Sequence, residues 1–357
     1  MIKEIEIALR KLILNVFLLF SKSKSKQEKL ELSSEDRILL VRLNKIGDAL
    51  VTSPLIKAIK KNIECEIHVL ADSKNHFIFR NNNNVDKTFV FSKSASDIKS
   101  LEKQIEQQNY KAVFDLHDDV STTVTLLINS LKFPNKVAFD KKTSKIYTHI
   151  VPYLDPTKNH VVDRYNEFIK YLKLPLPKDN RIDYKPSNDS IKFADDFDNE
   201  AFTENKFLVG INISAGSNAR FWGIERYQKL ISYFSEYDVN LLLFCNPSDK
   251  DLAEKIADGK IKIFVNPDFD KFAAAISNLD FLFTPDTSVV HLASAFNIPM
   301  FGIYVKYNTE NVVWYPYNTE HDLIVTKEAN FDNLHFDTVV NKLKIFFEQI
   351  YNDKRNS

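Results

Sequence analysis

The sequence predicts an α/β protein with two domains, each a parallel sheet that is doubly wound by helices. Short apolar runs alternate with amphipathic stretches of helical spacing in the first half of the chain, and the alternation begins again after residue 205. A polar stretch that contains prolines separates the two halves. A chain of 357 residues can bury two cores, and its 44% hydrophobic and 27% charged residues are typical of a globular protein.

The composition excludes several functional classes. The formal net charge is zero, so no overall field attracts nucleic acid. The two cysteines, Cys65 and Cys245, lie far apart in sequence and indicate neither a disulfide framework nor a metal site, which fits a reducing compartment. No spacing of His, Cys and carboxylate residues predicts a bound metal.

Residues 1–20 predict an amphipathic helix outside the two domains. The basic run 21–26 follows it, and residues 1–30 contain seven Lys or Arg and three Glu. The apolar part, residues 12–20, is too short to span a bilayer, and no small-residue cleavage site follows it. We therefore expect this helix, within residues 1–26, to lie on an anionic membrane surface, with packing on the protein's own surface as the alternative. The apolar residues at helical spacing are Ile5, Leu9, Leu12, Ile13, Val16, Phe17 and Phe20.

The first half predicts five strands separated by helices. A single glycine, Gly47, follows the first strand where a tight turn is expected, so neither a dinucleotide fingerprint nor a P-loop is present. The predicted strands are Ile38–Leu43, Glu66–Ala71, Lys87–Phe91, Tyr110–Leu116 and Lys136–Phe139. The predicted helices are a stretch that ends near Lys61, Ser96–Gln108, Val120–Leu131 and His160–Leu172.

The second half repeats the alternation, which completes the domain prediction. Its predicted strands are Phe207–Ile213, Val239–Phe244, Lys260–Val265, Leu279–Phe283 and Ile298–Tyr304. Its predicted helices are residues 227–234, Asp249–Ala257, Asp270–Ser277, a helix that begins near Ser288, and Phe336–Tyr351. The predicted organisation is an N-terminal helix and basic linker (1–35), a first Rossmann-like domain (36–174), an interdomain linker (175–205), a second Rossmann-like domain (206–335) and a C-terminal helix (336–357).

Polar turns follow three of the predicted strands, at residues 44–48, 214–222 and 285–291. Ligands of open parallel sheets bind beyond the carboxyl ends of the strands, so two such sheets facing each other would place all three turns on one cleft. Asp48 is a carboxylate that can take a proton. A basic residue at 220 and a helix N-terminus after the third turn could together hold a diphosphate. The contributing residues are Ser214, Ser217, Arg220, Asp286, Thr287, Ser288 and His291.

Two of these assignments have structural alternatives. The cluster at residues 286–288 is also a good helix cap, and His291 then becomes a buried core residue. Trp222 could pack beside a base or sugar, or it could anchor the core.

Several motifs resemble those of glycosyltransferase family 9, the bacterial heptosyltransferases of lipopolysaccharide core assembly. Residues 43–54, Leu-Asn-Lys-Ile-Gly-Asp-Ala-Leu-Val-Thr-Ser-Pro, are similar to the opening motif of that family. Residues 220–225 resemble its basic residue, Trp and helix start, and residues 286–291 resemble its Asp-Thr-Gly-x-x-His turn. Asp115-Leu116-His117 and the helix His160–Leu172 also match, and the resemblance spans about residues 36–350.

The resemblance implies a GT-B fold of two facing Rossmann-like domains, with the acceptor on the first and the nucleotide sugar on the second. It implies inverting transfer from a nucleotide-diphospho-sugar, typically ADP-heptose, to a glycolipid acceptor, with no metal and no cofactor. Asp48 would be the general base. The implied donor-binding residues are Ser214, Ser217, Arg220, Trp222, Asp286, Thr287, Ser288 and His291, and the implied acceptor-side residues are Lys45, Gly47 and His117.

The chain departs from the family pattern at Ser288, where glycine is usual, and this substitution points to an altered donor. Two alternatives stay open from the sequence. One is a sugar-nucleotide epimerase or hydrolase on the same fold. The other is a sugar-nucleotide- or glycan-binding protein without catalysis. The expected location is the cytoplasm, peripheral on the inner face of the bacterial inner membrane.

Overall fold

The structure is a computed structural model that describes residues 2–25, 29–92, 95–204, 206–305 and 314–356, with the side chains of 2–8, 10, 11 and 95–97 excepted. The chain divides into two compact units, residues 1–180 and residues 181–357. The predicted domain boundaries remain predictions. Within the described residues, no helix is long and apolar enough to cross a membrane.

Unit 1 is a parallel sheet covered by helices. The strand order is β3-β2-β1-β4-β5-β6. Its strands are β1 (Arg37–Arg42), β2 (Glu66–Asp72), β3 (Lys87–Phe91), β4 (Ala112–Asp115), β5 (Lys136–Phe139) and β6 (His149–Val151). Its helices are α1 (Ile2–Phe20), α2 (Ile46–Leu50), α3 (Ser53–Ile63), α4 (Phe77–Arg80), α5 (Ala95–Glu106), α6 (Thr122–Ser130) and α7 (Val161–Tyr171).

Unit 2 has a second parallel sheet, in the order β12-β11-β10-β7-β8-β9. Its strands are β7 (Phe207–Asn212), β8 (Val239–Cys245), β9 (Lys262–Val265), β10 (Phe281–Pro285), β11 (Met300–Tyr304) and β12 (His321–Val325). Its helices are α8 (Asn188–Ala201), α9 (Ile224–Phe234), α10 (Lys250–Ala257), α11 (Phe269–Ser277), α12 (Ser288–Phe296) and α13 (Phe336–Arg355). Helix α13 lies in the core of this unit through Val339, Leu343 and Phe347.

Both sheets have the same topology, which confirms the predicted fold class. Numbered within each unit, the strand order is 3-2-1-4-5-6, the order of dinucleotide-binding Rossmann sheets. The order reverses between β1 and β4 in unit 1 and between β7 and β10 in unit 2. The loops that leave these four strands diverge at that point and open a crevice, so each unit has one switch point at which a ligand is expected.

The structure contains strands β6 and β12 and the short helix α4, which the sequence does not predict, and two further helical segments differ from the prediction. The helical stretch after β1 is broken into α2 and α3, because Pro54 lies in the first turn of α3 and suits a helix start. The segment 175–205 contains α8, which packs on α11 and begins where the Ser187 hydroxyl caps the Ser190 N–H. Helix α8 buries only Ser190 and Ala194 among its residues, and its many acidic residues make this stretch resemble a polar linker in the sequence.

Candidate active site

The switch point of unit 1 is built around a buried arginine. Arg42, the last residue of β1, is 0% exposed. Its Nη2 donates to Asp48 Oδ1 (2.9 Å), its Nε to the Asp48 carbonyl (3.0 Å) and its Nη1 to the Leu116 carbonyl after β4 (2.5 Å). The guanidinium therefore joins the loops that follow the two strands at which the sheet order reverses.

The contact with Arg42 orients the Asp48 side chain and leaves one carboxylate oxygen free to bind a ligand. Its side chain is 17% exposed. Oδ1 accepts from Arg42 and from Asn44 Nδ2 (3.3 Å). Among the described residues Oδ2 accepts no hydrogen bond, so it can accept one from a ligand.

A second carboxylate, Asp118, extends the cluster. Arg164 of α7, also buried, donates to Asp118 Oδ2 (2.8 Å), and Asp118 Oδ1 lies 3.8 Å from Arg42 Nη1. Burial alone would raise the pKa of Asp118, but Arg42 and Arg164 outweigh it and hold that pKa below its ordinary value. Burial likewise opposes the charge of Arg42, yet Tyr165, Asp48 and Asp118 raise its pKa. The cluster stays charged because every buried charge has a partner.

His117 fixes the start of the loop after β1 through a hydrogen bond to the backbone of Leu43. It is 0% exposed, and its Nε2 accepts from the Leu43 N–H (3.0 Å), which places the ring proton on Nδ1. Nδ1 donates to Asp115 Oδ1 (2.7 Å), while Lys141 Nζ (2.8 Å) and the Tyr147 hydroxyl (2.5 Å) donate to Oδ2. Both ring nitrogens are bonded within unit 1, so His117 holds the loop in place, and its predicted place on the acceptor side stays a prediction.

The other acceptor-side candidates lie at the start of α2. Lys45 is exposed and is the N-cap residue of this helix. Gly47 is a helical residue whose carbonyl accepts from the Val51 N–H (3.1 Å). Its φ is not positive, so the prediction of a tight turn at this glycine is wrong. The glycine therefore lies beside the site without forming a special turn.

The switch point of unit 2 is organised by Asn212, the last residue of β7. Its side-chain amide donates to Thr284 Oγ1 on β10 (2.9 Å) and to Thr287 Oγ1 (3.3 Å). Thr287 is the N-cap of α12, and its hydroxyl accepts from the Val289 N–H (3.3 Å). Asn212 thus fixes the start of α12 against the neighbouring strand, and the predicted cap at residues 286–288 is present.

Arg220 lies against this turn. Its Nη1 donates to the Asp286 carbonyl (2.7 Å) and lies 3.3 Å from Asp286 Oδ2, with both side chains 24% exposed. Ser217, exposed, precedes the short 3-10 helix Asn218–Arg220 that carries this arginine. The structure therefore brings a cation, a carboxylate and a helix N-terminus together, as the sequence predicts.

Three further predicted donor residues differ in burial: Ser214 and His291 are buried, whereas Ser288 is half-buried. The buried Ser214 hydroxyl donates to Asp249 Oδ2 (2.5 Å) and accepts from the Asn246 N–H (2.7 Å), so it holds the loop after β8. His291 is buried, with its ring 5.7 Å from the Trp314 ring. Ser288, half-buried, is the first residue of α12.

Trp222 lies in the core of unit 2. It is 0% exposed, its indole N–H donates to the Leu334 carbonyl (2.9 Å), and its rings pack on Phe283 and Tyr227. This is the position of a core anchor, the alternative that the sequence left open.

Sequence reasoning missed three residues that complete these sites: Arg42, Arg164 and Asn212. The sequence did contain a sign of these residues: each is a polar residue within an apolar strand or on the buried face of a helix. A buried polar group without a partner is costly, so such a residue is expected to have a hydrogen-bond partner nearby. Among the described residues, no cluster of three or more His, Cys, Asp or Glu residues could hold a metal ion.

The two Rossmann-like sheets and their switch-point sites define the fold of GT-B glycosyltransferases. A family 9 glycosyltransferase of Veillonella parvula superposes with a TM-score of 0.78 at 18% identity, over 91% of this chain and 99% of that one. The Escherichia coli heptosyltransferase WaaC, solved with ADP, gives a TM-score of 0.70 at 18% identity, over 88% and 99%.

The protein belongs to glycosyltransferase family 9 (heptosyltransferase), whose sequence profile matches residues 98–343. It is 24% identical to the lipopolysaccharide core heptosyltransferase OpsX of Haemophilus influenzae over 240 residues, which are 65% of this chain and 67% of that protein. The chain is therefore a glycosyltransferase of the heptosyltransferase family of lipopolysaccharide core biosynthesis.

Proposed function

We propose that the protein transfers a heptose, with inversion, from a nucleotide-diphospho-sugar to a lipopolysaccharide core or related glycolipid. Family membership supports the reaction class. The similar fold of WaaC, which was solved with ADP, supports ADP as the nucleotide. The observation that carries the proposal is the Asp48 carboxylate at the unit 1 switch point, with Oδ1 bonded and Oδ2 open to a ligand.

Asp48 is the proposed general base. A sugar hydroxyl has a very high pKa, so a base must accept its proton as the oxygen attacks. The new bond joins the acceptor oxygen to the anomeric carbon, the bond from that carbon to the diphosphate oxygen breaks, and the proton passes to Asp48 Oδ2. Arg42, which binds Oδ1, fixes the orientation of the carboxylate.

The proposed donor residues lie in unit 2. Negative charge develops on the departing diphosphate, and Arg220 and the N-terminus of α12 can stabilise it. An anion there would compete with Asp286 for the guanidinium. The mechanism needs no metal, because these groups supply positive charge at the leaving group. Ser288, where the family pattern has glycine, is the first residue of α12 and therefore lies at the helix N-terminus that we propose binds the donor diphosphate.

The proposed acceptor is lipid-linked, so we also place the reaction at the cytoplasmic face of the inner membrane. The peripheral location follows from the chemistry of that acceptor.

The donor assignment is tested with Arg220→Gln and a matched control on the neighbouring helix, Lys229→Gln. Lys229 is an exposed cation of α9. Loss of a charge-assisted contact predicts that Arg220→Gln weakens ADP binding by about tenfold or more in titration calorimetry, whereas the control stays within about twofold. Equal dissociation constants for the two variants would remove Arg220 from the donor site.

A further inference from the structure

Helix α1 is apolar on two opposite sides. Its inward side carries Leu14 and Leu18, which are 4% and 8% exposed, together with the half-buried Phe17. These side chains pack on the core of unit 1, beside Val124 and Leu127 of α6. The alternative that α1 packs on the protein's own surface is therefore correct for this side of the helix.

The outward side of α1 exposes a continuous apolar stripe. The spacing i, i+3, i+4, i+7, i+10 and i+11 keeps these residues within one side of a helix. Monomeric proteins rarely expose so many adjacent large apolar residues without an interaction to explain them. The stripe consists of Leu9 (55% exposed), Leu12 (59%), Ile13 (47%), Val16 (46%), Leu19 (77%) and Phe20 (85%).

Four exposed lysines border the stripe at the C-terminal half of α1. Lys142 Nζ donates to Asn15 Oδ1 (2.8 Å) and Lys24 Nζ to Asn129 Oδ1 (3.0 Å), so both bind neutral amides. The third lysine is Lys145, whose carbonyl accepts from the Lys24 N–H (3.1 Å). The fourth is Lys22, which precedes Lys24 by two residues. None of the four forms an ion pair with a carboxylate of the described residues, so their positive charge is not neutralised.

The helix also lies close to the catalytic edge of unit 1. Asn15 binds Lys142, and the adjacent Lys141 binds the Asp115 carboxylate and the His117 carbonyl at the carboxyl end of β4. The middle of α1 is therefore beside the edge of the sheet at which Asp48 is presented.

From these observations we propose that the outward side of α1 docks unit 1 on a bilayer that contains anionic lipids. The apolar stripe enters the boundary between headgroups and acyl chains, and the four lysines contact anionic headgroups. Charge complementarity favours this occupant over a second copy of the chain, since two such helices would bring eight lysines together. Docking would bring a lipid-linked acceptor to the edge of the sheet that carries Asp48. Only this purpose of the docking rests on the proposed function.

The experiment is co-sedimentation of the full chain with vesicles of phosphatidylcholine alone or mixed with phosphatidylglycerol. The test variant replaces Leu12, Val16, Leu19 and Phe20 with Ser and leaves the inward residues intact. The matched control is Ile345→Ser, because Ile345 of α13 is 75% exposed, like Leu19. Thermal unfolding of each variant shows that the fold is retained.

We expect the unaltered chain and the control to bind the anionic vesicles, and the test variant to bind at least about tenfold more weakly. Replacement of the four lysines with Gln should remove the salt dependence of binding between about 0.05 and 0.5 M NaCl. Equal binding of the test variant, or no binding by the unaltered chain, would overturn the proposal. So would a dimer that the serine substitutions convert to a monomer without any vesicle binding.

Transfer to a water-soluble acceptor saccharide without acyl chains separates this inference from the proposed function. The test variant should retain that activity, because none of the four positions lies in the catalytic cluster. Failure of both proteins to transfer would contradict the proposed function, whereas the vesicle result would still decide the role of α1.

Discussion

Arg42 is the residue on which the unit 1 site depends. A fully buried guanidinium is tolerated only when acceptors surround it, and here the acceptors are Asp48, Asp118 and the Leu116 carbonyl. Removing one member of such a buried pair typically costs about 3–5 kcal/mol, because the remaining charge is left unpaired. The orientation of Asp48 and the stability of the loops are therefore set by the same contacts.

Asp115 gives this region a pH dependence. Burial alone would raise its pKa, but Lys141 and His117 outweigh it and hold the pKa of Asp115 well below its usual range. A carboxyl with a lowered folded-state pKa contributes stability above its unfolded pKa of about 4, and that contribution is lost as the pH falls below this value. In urea unfolding, Asp115→Asn should reduce the free energy of unfolding by about 2 kcal/mol or more at pH 7. The variant should also lose less stability than the unaltered chain between about pH 4 and pH 2.

The control for this prediction is Asp140→Asn, a change at an exposed carboxylate that follows β5. It should leave both the stability at pH 7 and its acid dependence nearly unchanged. Identical acid profiles for Asp115→Asn and the unaltered chain would contradict the account of the Asp115 cluster.

Single residues were predictable from the sequence where a local motif defines them. The sequence predicts Thr287 as a cap and Arg220 as a cation beside the same turn, and the structure places them together. His117 and Trp222 were named, but the sequence could not show that both are fully enclosed, because burial depends on contacts from distant elements such as Leu334. Their functional assignments remain predictions.

At the scale of elements, β11 shows a glycine and a tyrosine that depend on each other. A Cβ at Gly302 would overlap the ring of Tyr304, which folds back over the same strand. The Tyr304 hydroxyl is buried and has no hydrogen-bond partner among the described residues. A buried unsatisfied hydroxyl costs about 1–3 kcal/mol.

Tyr304→Phe should therefore leave the free energy of unfolding unchanged or raise it by about 1 kcal/mol, measured by urea unfolding. Gly302→Ala should lower it, because the strand and the ring cannot both keep their positions. The matched control is Tyr110→Phe, which removes a buried hydroxyl that does have a partner, His68 Nδ1 at 2.5 Å, and should destabilise. A larger loss for Tyr304→Phe than for Tyr110→Phe would show that the Tyr304 hydroxyl has a partner.

Elements were predicted well where one face carries a clear apolar pattern. Strands β3 and β5 match the predicted bounds, and α12 begins at the predicted residue. Strand β12 was missed because it is mostly half-exposed and pairs only along one edge with β11. Helix α8 is not predicted because its many acidic residues mask the apolar side that packs on α11.

At the scale of the whole molecule, the chain uses one topology twice. The repeated alternation in the sequence predicts two parallel sheets. It does not predict the order of the strands within them, and it does not reveal β6 and β12, so the strand order is known only from the structure. The order identifies the two switch points, and the candidate residues cluster at these points. The division of labour between base in unit 1 and donor site in unit 2 is the central proposal.

The most direct test is Asp48→Asn, with Asp36→Asn as a control at a half-buried carboxylate of the same unit whose hydrogen bonds, among the described residues, come from Ser33. Heptose transfer from ADP-heptose to a glycolipid acceptor and ADP binding are measured on the same preparations. The account predicts that Asp48→Asn lowers kcat by at least about a hundredfold, while the dissociation constant for ADP stays within about twofold of the unaltered chain. Transfer by Asp48→Asn at the rate of the Asp36→Asn control would contradict it.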